Sequence, residues 1–183
     1  NYVMEFAKGK NWKAIEKFIY HFQMTCKQLK YSNNLVIAAP SGLALGGGFE
    51  VLVQSDYVVA HTNIVTGLVE TIVGLIPAGG GTKQMLWRWM QDEKAKKDPD
   101  FAPQKVFDII GYGKIASSPV EAMPLKFLLK KDKSIMNRNK LLSVAENLIN
   151  EKKNGYRPPQ KPIFKLSGSQ VRDKMFQTLE NLF

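Results

Sequence analysis

The sequence predicts an α/β protein, on three observations. Two short apolar runs, Leu35-Val36-Ile37-Ala38-Ala39 and Tyr57-Val58-Val59-Ala60, have the length and β-branched content of strands buried on both faces. Glycine-rich turns follow the first run and recur after the second. Stretches with apolar residues every three or four positions flank them, which is the spacing of helices with one buried face. Strand, glycine turn, helix and strand in alternation is the pattern of an α/β arrangement. A chain of 183 residues, 44% hydrophobic and 23% charged, supports one sizeable core and would be cramped as two full domains.

The elements follow in order. Ile15, Phe18, Ile19, Phe22, Cys26 and Leu29 form one helical stripe, with His21 beside it as a surface histidine. Tyr31-Ser32-Asn33-Asn34 breaks that helix. The strand at residues 35–39 ends at Pro40-Ser41-Gly42, and Gly46-Gly47-Gly48 leads into a short helix carrying Glu50. The strand at 57–60 is followed by an apolar, glycine-rich stretch over 66–81. A helix from Thr82 then carries Met85, Leu86, Trp89 and Met90. Residues 91–103 read as an exposed, charged connection, with helices around 106–110 and 119–129 beyond it. The second of these opens on a capping box of Ser118, Pro119 and Glu121. Ser134 is placed to cap a further helix bearing Leu141, Leu142, Ala145, Leu148 and Ile149. A linker at 154–162 precedes a last helix with Val171, Met175, Leu179 and Leu182. The boundaries expected are a core segment at 1–153, with linker and C-terminal helix at 154–183.

Composition excludes several classes. Fourteen glycines, nine prolines and one cysteine fit neither a collagen nor a disulfide scaffold. The apolar runs are far shorter than the roughly 20 residues of a spanning helix. Lys8, Lys10 and Lys13 are not followed by the uninterrupted apolar run of a secretory signal. A lone Cys26 forms no internal bridge, which agrees with a reducing cytoplasm. Two distant histidines, His21 and His61, offer no metal spacing, and no serine sits in a G-x-S-x-G turn. Gly79-Gly80-Gly81-Thr82-Lys83 has threonine before lysine, the reverse of a phosphate loop, and no G-x-G-x-x-G follows the first strand. The net charge of +10 implies either attraction to an anionic partner or simply a lysine-rich surface.

The chemistry lies in the glycine blocks and two acids. Three successive glycines cost roughly 1 kcal/mol each relative to alanine in a helix. They are tolerated where backbone must approach a neighbour closely or present free N–H groups to an anion or a developing oxyanion. Glu50 and Glu70 each fall in an apolar, glycine-rich stretch, where burying a charge is costly unless it is paired or protonated. Taken singly, each reads as a solvated helix residue. Together, two such carboxylates can divide acid and base duty.

Pro40-Ser41-Gly42-Leu43-Ala44-Leu45-Gly46-Gly47-Gly48-Phe49-Glu50 resembles the central signature of the crotonase superfamily, in particular of enoyl-CoA hydratase. Gly67-Leu68-Val69-Glu70 through Gly74-Leu75-Ile76-Pro77-Ala78-Gly79-Gly80-Gly81-Thr82 is similar to its second signature. Ile115-Ala116-Ser117-Ser118-Pro119-Val120-Glu121-Ala122 continues the likeness more weakly, so that it spans roughly residues 33–123.

The resemblance implies a crotonase-like ββα spiral with peripheral C-terminal helices, as an incomplete domain lacking its N-terminal units. It implies hydration of trans-2-enoyl-CoA to 3-hydroxyacyl-CoA in fatty acid β-oxidation. The backbone N–H of Gly47 would serve the oxyanion hole. Glu50 would orient water on the base side, Glu70 would donate the proton, and the backbone N–H at Ala78 would help hold the water. The hydratase step needs no cofactor; coenzyme A is part of the substrate, and NAD enters only if the parent protein carries a dehydrogenase domain. The family forms trimers or pairs of trimers, which implies a trimer-based homo-oligomer, alongside other β-oxidation enzymes such as thiolase. The single cysteine leads to a cytoplasmic location as the expectation.

Val69 stands where simple hydratases commonly have proline, and the wording of the second block looks more like the hydratase part of multifunctional β-oxidation proteins that also contain a 3-hydroxyacyl-CoA dehydrogenase. The first oxyanion donor of the family lies upstream of Asn1, so a segment cut from a longer chain is expected to be weak alone. Three rivals stay open. A Δ3,Δ2-enoyl-CoA isomerase needs one acid to shuttle a proton. An RNA-binding relative would use +10 together with exposed aromatics such as those of Trp87-Arg88-Trp89. The third is a non-catalytic scaffold part.

Overall fold

The computed structural model describes residues 2–164 and 168–180; Leu182, expected on the last helix, lies outside the described residues. Two helices, α1 (Tyr2–Lys8) and α2 (Trp12–Lys30), open the chain. Asn11 caps α2 by accepting the Ala14 N–H at 3.2 Å. Then come β1 (Ile37–Ala38), β2 (Leu43–Leu45) and α3 (Gly47–Leu52). A second strand pair follows, β3 (Tyr57–His61) and β4 (Val65–Gly67), with a 3-10 turn over Glu70–Val73 and the helix α4 (Gly81–Met90). The remainder comprises α5 (Glu93–Lys97), α6 (Phe101–Gly111), β5 (Ile115–Ala116), α7 (Pro119–Ala122), β6 (Lys133–Ile135), α8 (Leu141–Lys152) and α9 (Ser169–Glu180).

The strand pairs coil as a spiral. First strands pair with first strands, in the order β1-β3-β6, all parallel, with Ile37 opposite Tyr57 and Val59 opposite Lys133. Second strands pair with second strands: β2 lies parallel to β4 with Leu45 opposite Gly67, and β5 closes that sheet antiparallel. Two ββα units thus stack one above the other, and the helical part of each unit begins at the same end of its sheet.

The main core lies between α3, α4, α6 and the two sheets. Phe49, Val53, Ile64, Leu68, Met85 and Phe127 are fully buried there, and the Phe49 and Phe127 rings meet edge to face at 4.9 Å between centroids. Burying a side chain of that size contributes about 1.5–3 kcal/mol. Val58 and Ala60 face this core, whereas Val59 points the other way, onto Leu141, Ala145 and Leu148. That two-sided burial is why residues 57–60 read as an unbroken apolar run.

Four sequence expectations change. Residues 91–103 are not an irregular connection: Asp92 caps α5, and Asp100, nearly buried, pairs with Lys174 of α9 at 2.6 Å. The helix expected over 119–129 stops at Ala122, because Pro124 has no N–H to give to Val120. Its capping box is half formed. Ser118 Oγ accepts the Glu121 N–H at 3.3 Å, but the Glu121 carboxylate turns to the N–H and hydroxyl of Ser117. Ser134 caps nothing and instead sits in β6 opposite Ala60. The chain enters α8 through a 3-10 turn capped by Asn137. Residues 154–162 carry no helix or strand, as expected of a linker, and Tyr156 ties them down by donating to Asp56 Oδ2 at 2.9 Å.

Candidate active site

Glu50 is the fourth residue of α3, and the turn at Gly46 (φ 53, ψ −122) aims that helix across the end of the sheet. The side chain is only 2% exposed. Both carboxylate oxygens are claimed by main chain: the Gly79 N–H donates to Oε2 at 2.9 Å and the Gly81 N–H to Oε1 at 2.7 Å. A buried carboxylate gripped this way keeps its hydrogen bonds without water.

The second glycine triplet exists because of this grip. A Cβ on Gly79 would lie 2.9 Å from Glu50 Oε2 and 2.2 Å from Cε1 of Phe22, closer than a real carbon can approach. On Gly81 it would lie 3.0 Å from Glu50 Oε1 and 2.8 Å from Leu68 Cδ2.

Glu70 opens the 3-10 turn at the end of β4. A bond from the Gly46 N–H to the Gly67 carbonyl (2.9 Å) holds the first glycine turn beside it. A Cβ on Gly46 would stand 3.1 Å from Glu70 Oε1. Its other oxygen, Oε2, is buried with no hydrogen-bond partner among the described residues. Burial pushes the Glu70 carboxyl above its usual value; hydrogen bonds from its own N–H and that of Val69 pull it back in part, and the negative charge of Glu50 adds to the rise. The two acids therefore sit within electrostatic reach in contrasting environments. Each Glu50 oxygen accepts one backbone N–H and keeps a further lone pair, whereas Glu70 has a buried oxygen with no partner among the described residues.

Gly47 and Gly48 begin α3, so helical geometry gives their N–H groups no acceptor inside that helix. Ala78 adjoins the Gly79–Gly81 loop that grips Glu50, and its carbonyl accepts from Gln23 Nε2 at 2.8 Å. A 310 Å³ cavity touches Gln23, Cys26, Ala78, Gly79 and Lys83, but neither carboxylate. All four expected site residues therefore lie at the ends of β2 and β4 and in the loop before α4.

Phe22 and Gln23 of α2 escaped the sequence reading as site neighbours. Phe22 was visible only as one residue of an apolar stripe, and nothing in the sequence marks Gln23. Cys26, one turn on, is buried; burial and then the Glu50 charge push its thiol up to about 11, so it is neither ionised nor nucleophilic near neutrality. Trp87-Arg88-Trp89 is no stacking platform. Trp89 and Arg88 are buried, Arg88 donates to the carbonyls of Lys126 and Phe127, and Trp87 packs edge-on against Phe164. Among the described residues no group of three or more His, Cys, Asp or Glu could hold a metal ion, and no helix is long and apolar enough to cross a membrane.

Residues 5–97 match the protein family described as enoyl-CoA hydratase/isomerase. The chain belongs to that family. The matched span includes α2, both glycine blocks, Glu50 and Glu70. Among curated relatives, a Bacillus subtilis protein named as a 3-hydroxyacyl-CoA dehydrogenase is 35% identical over 159 residues, covering 86% of this chain and 20% of its own length. A Rickettsia felis protein named as a fatty acid oxidation complex trifunctional enzyme is 38% identical over 91 residues, which is 50% of this chain and 13% of that one. This chain thus spans a fifth or less of either relative. In structure, the enoyl-CoA hydratase of Bacillus anthracis aligns with a TM-score of 0.60 at 23% identity, over 76% of this chain and 47% of its own. That likeness establishes the crotonase-type fold seen in the stacked ββα units.

Proposed function

We propose that the protein bearing this chain hydrates trans-2-enoyl-CoA to 3-hydroxyacyl-CoA. The observation that carries the reading is the contrast between the two acids. Glu50 is gripped by two backbone N–H groups, while Glu70, within reach of its charge, is pushed toward the protonated form and has an oxygen without a partner among the described residues.

In this mechanism the thioester oxygen accepts the Gly47 N–H, and Glu50 orients a water whose oxygen bonds to C3. The C2–C3 π electrons move toward the thioester, giving an enolate whose charge the main-chain donor meets. One such donor is worth about 10²–10³ in rate. Glu70 delivers its proton to C2, the proton released by the water passes to Glu50, and exchange between the coupled acids restores the starting state. The Ala78 N–H helps to hold the water. No cofactor is needed for this addition; NAD belongs to the protein only if a dehydrogenase domain accompanies the chain, and the names of the B. subtilis and R. felis relatives support a place in β-oxidation. A trimer-based assembly, contact with enzymes such as thiolase and a cytoplasmic site belong to the same proposal.

A Δ3,Δ2-isomerase needs a single proton shuttle and leaves the grip on Glu50 without a purpose. The test is product analysis with the full-length protein. Crotonyl-CoA is expected to give 3-hydroxybutyryl-CoA, with slower turnover of the 3-enoyl isomer. Shift of the double bond in the 3-enoyl thioester with no hydration of crotonyl-CoA would replace this reading with the isomerase. Salt-sensitive RNA binding without acyl-CoA binding would replace both.

A further inference from the structure

Helix α2 lays one aromatic ring on both glycine turns of the site. Phe22 Cζ stands 3.5 Å from where a Cβ on Gly47 would lie, and its Cε1 and Cδ1 stand 2.2 and 2.8 Å from the corresponding point on Gly79. The same ring therefore touches the turn assigned to the oxyanion and the turn that grips Glu50. The turn that follows it on the helix is anchored: the adjacent Gln23 is hydrogen-bonded to the Ala78 carbonyl, and Cys26, four residues on, is buried. The absence of a side chain at Gly79 gives the ring its seat, so the contact is built into both segments.

We propose that Phe22 is a specificity-determining residue that caps the acyl end of this site and restricts it to short 2-enoyl groups. This inference rests on the hydratase reading above. With the thioester oxygen at the Gly47 N–H and C3 beside Glu50, the reacting carbons lie between the two glycine turns, and the phenyl ring that touches both turns bounds the space left for a longer chain. A smaller side chain at position 22 opens it. Discrimination by a hydrophobic wall is worth about 10–200-fold for a poorly fitting group.

The test compares kcat/KM for trans-2-decenoyl-CoA with that for crotonyl-CoA in the full-length protein and its Phe22→Ala and Phe22→Leu variants. The decenoyl-to-crotonyl ratio is expected to rise at least about tenfold in Phe22→Ala, and in the same direction but less in Phe22→Leu. A merely structural Phe22 would lower the melting temperature and both kcat/KM values together, leaving the ratio where it was. A ratio unchanged within about twofold in the folded variants overturns the proposal while leaving the hydratase reading intact. Should Phe22→Ala fail to fold, the Leu variant decides. A wild-type protein that hydrates neither thioester overturns the hydratase reading, and this inference with it.

Discussion

At the residue scale, the proposed chemistry rests on the difference between two glutamates. A carboxyl whose value is raised in the folded state disfavours folding once it ionises: the unfolded chain loses its proton first, so stability falls as pH rises through the folded value. Glu70 is in that position. Glu70→Gln removes the penalty, and its melting temperature is expected to exceed that of wild type at pH 8, with the gain vanishing near pH 4, where the carboxyl is protonated in both states. A melting difference that is equal at both pH values would show that the carboxyl titrates as an ordinary surface group.

At the element scale, the informative contact is α2 against the loop before α4. The sequence displays α2 plainly as a stripe and displays the loop as glycines, but Phe22 and Gly79 are 57 residues apart and nothing local joins them. The glycine pattern signals that something must come close; only the tertiary arrangement says that it is a phenyl ring and a carboxylate. Gly79→Ala is expected to cost about 1–3 kcal/mol in urea denaturation, as overpacking does. Combined with Phe22→Ala, part of that cost should return, because the methyl gains the room the ring had. Strict additivity, within about 0.5 kcal/mol, would mean that the two residues do not share the space. Other elements were hidden for physical reasons. α5 has an entirely charged face and no apolar stripe, and β6 is three residues long with two of them exposed, so neither leaves a periodic signal. α7 is cut short by Pro124, a breaker present in the sequence yet outweighed by the apolar residues around it.

At the scale of the whole molecule, the spiral brings the site together from distant stretches. Stacking β2 on β4 sets the Gly46 turn beside Glu70, and the loop entering α4 comes back to grip Glu50. The two signature blocks mark both acids, Gly47 and Ala78 as candidates in the sequence, because each block is a continuous run of residues. Their contrasting environments were not legible, since they depend on which backbone N–H groups turn toward which carboxylate.

The most direct test of the account is the rate of crotonyl-CoA hydration by the full-length protein with Glu50→Gln, Glu70→Gln and both together. If the acids act as one unit, each single change lowers kcat by about 10²–10⁴, and the double variant falls little further. Single variants that keep kcat within tenfold of wild type would contradict it.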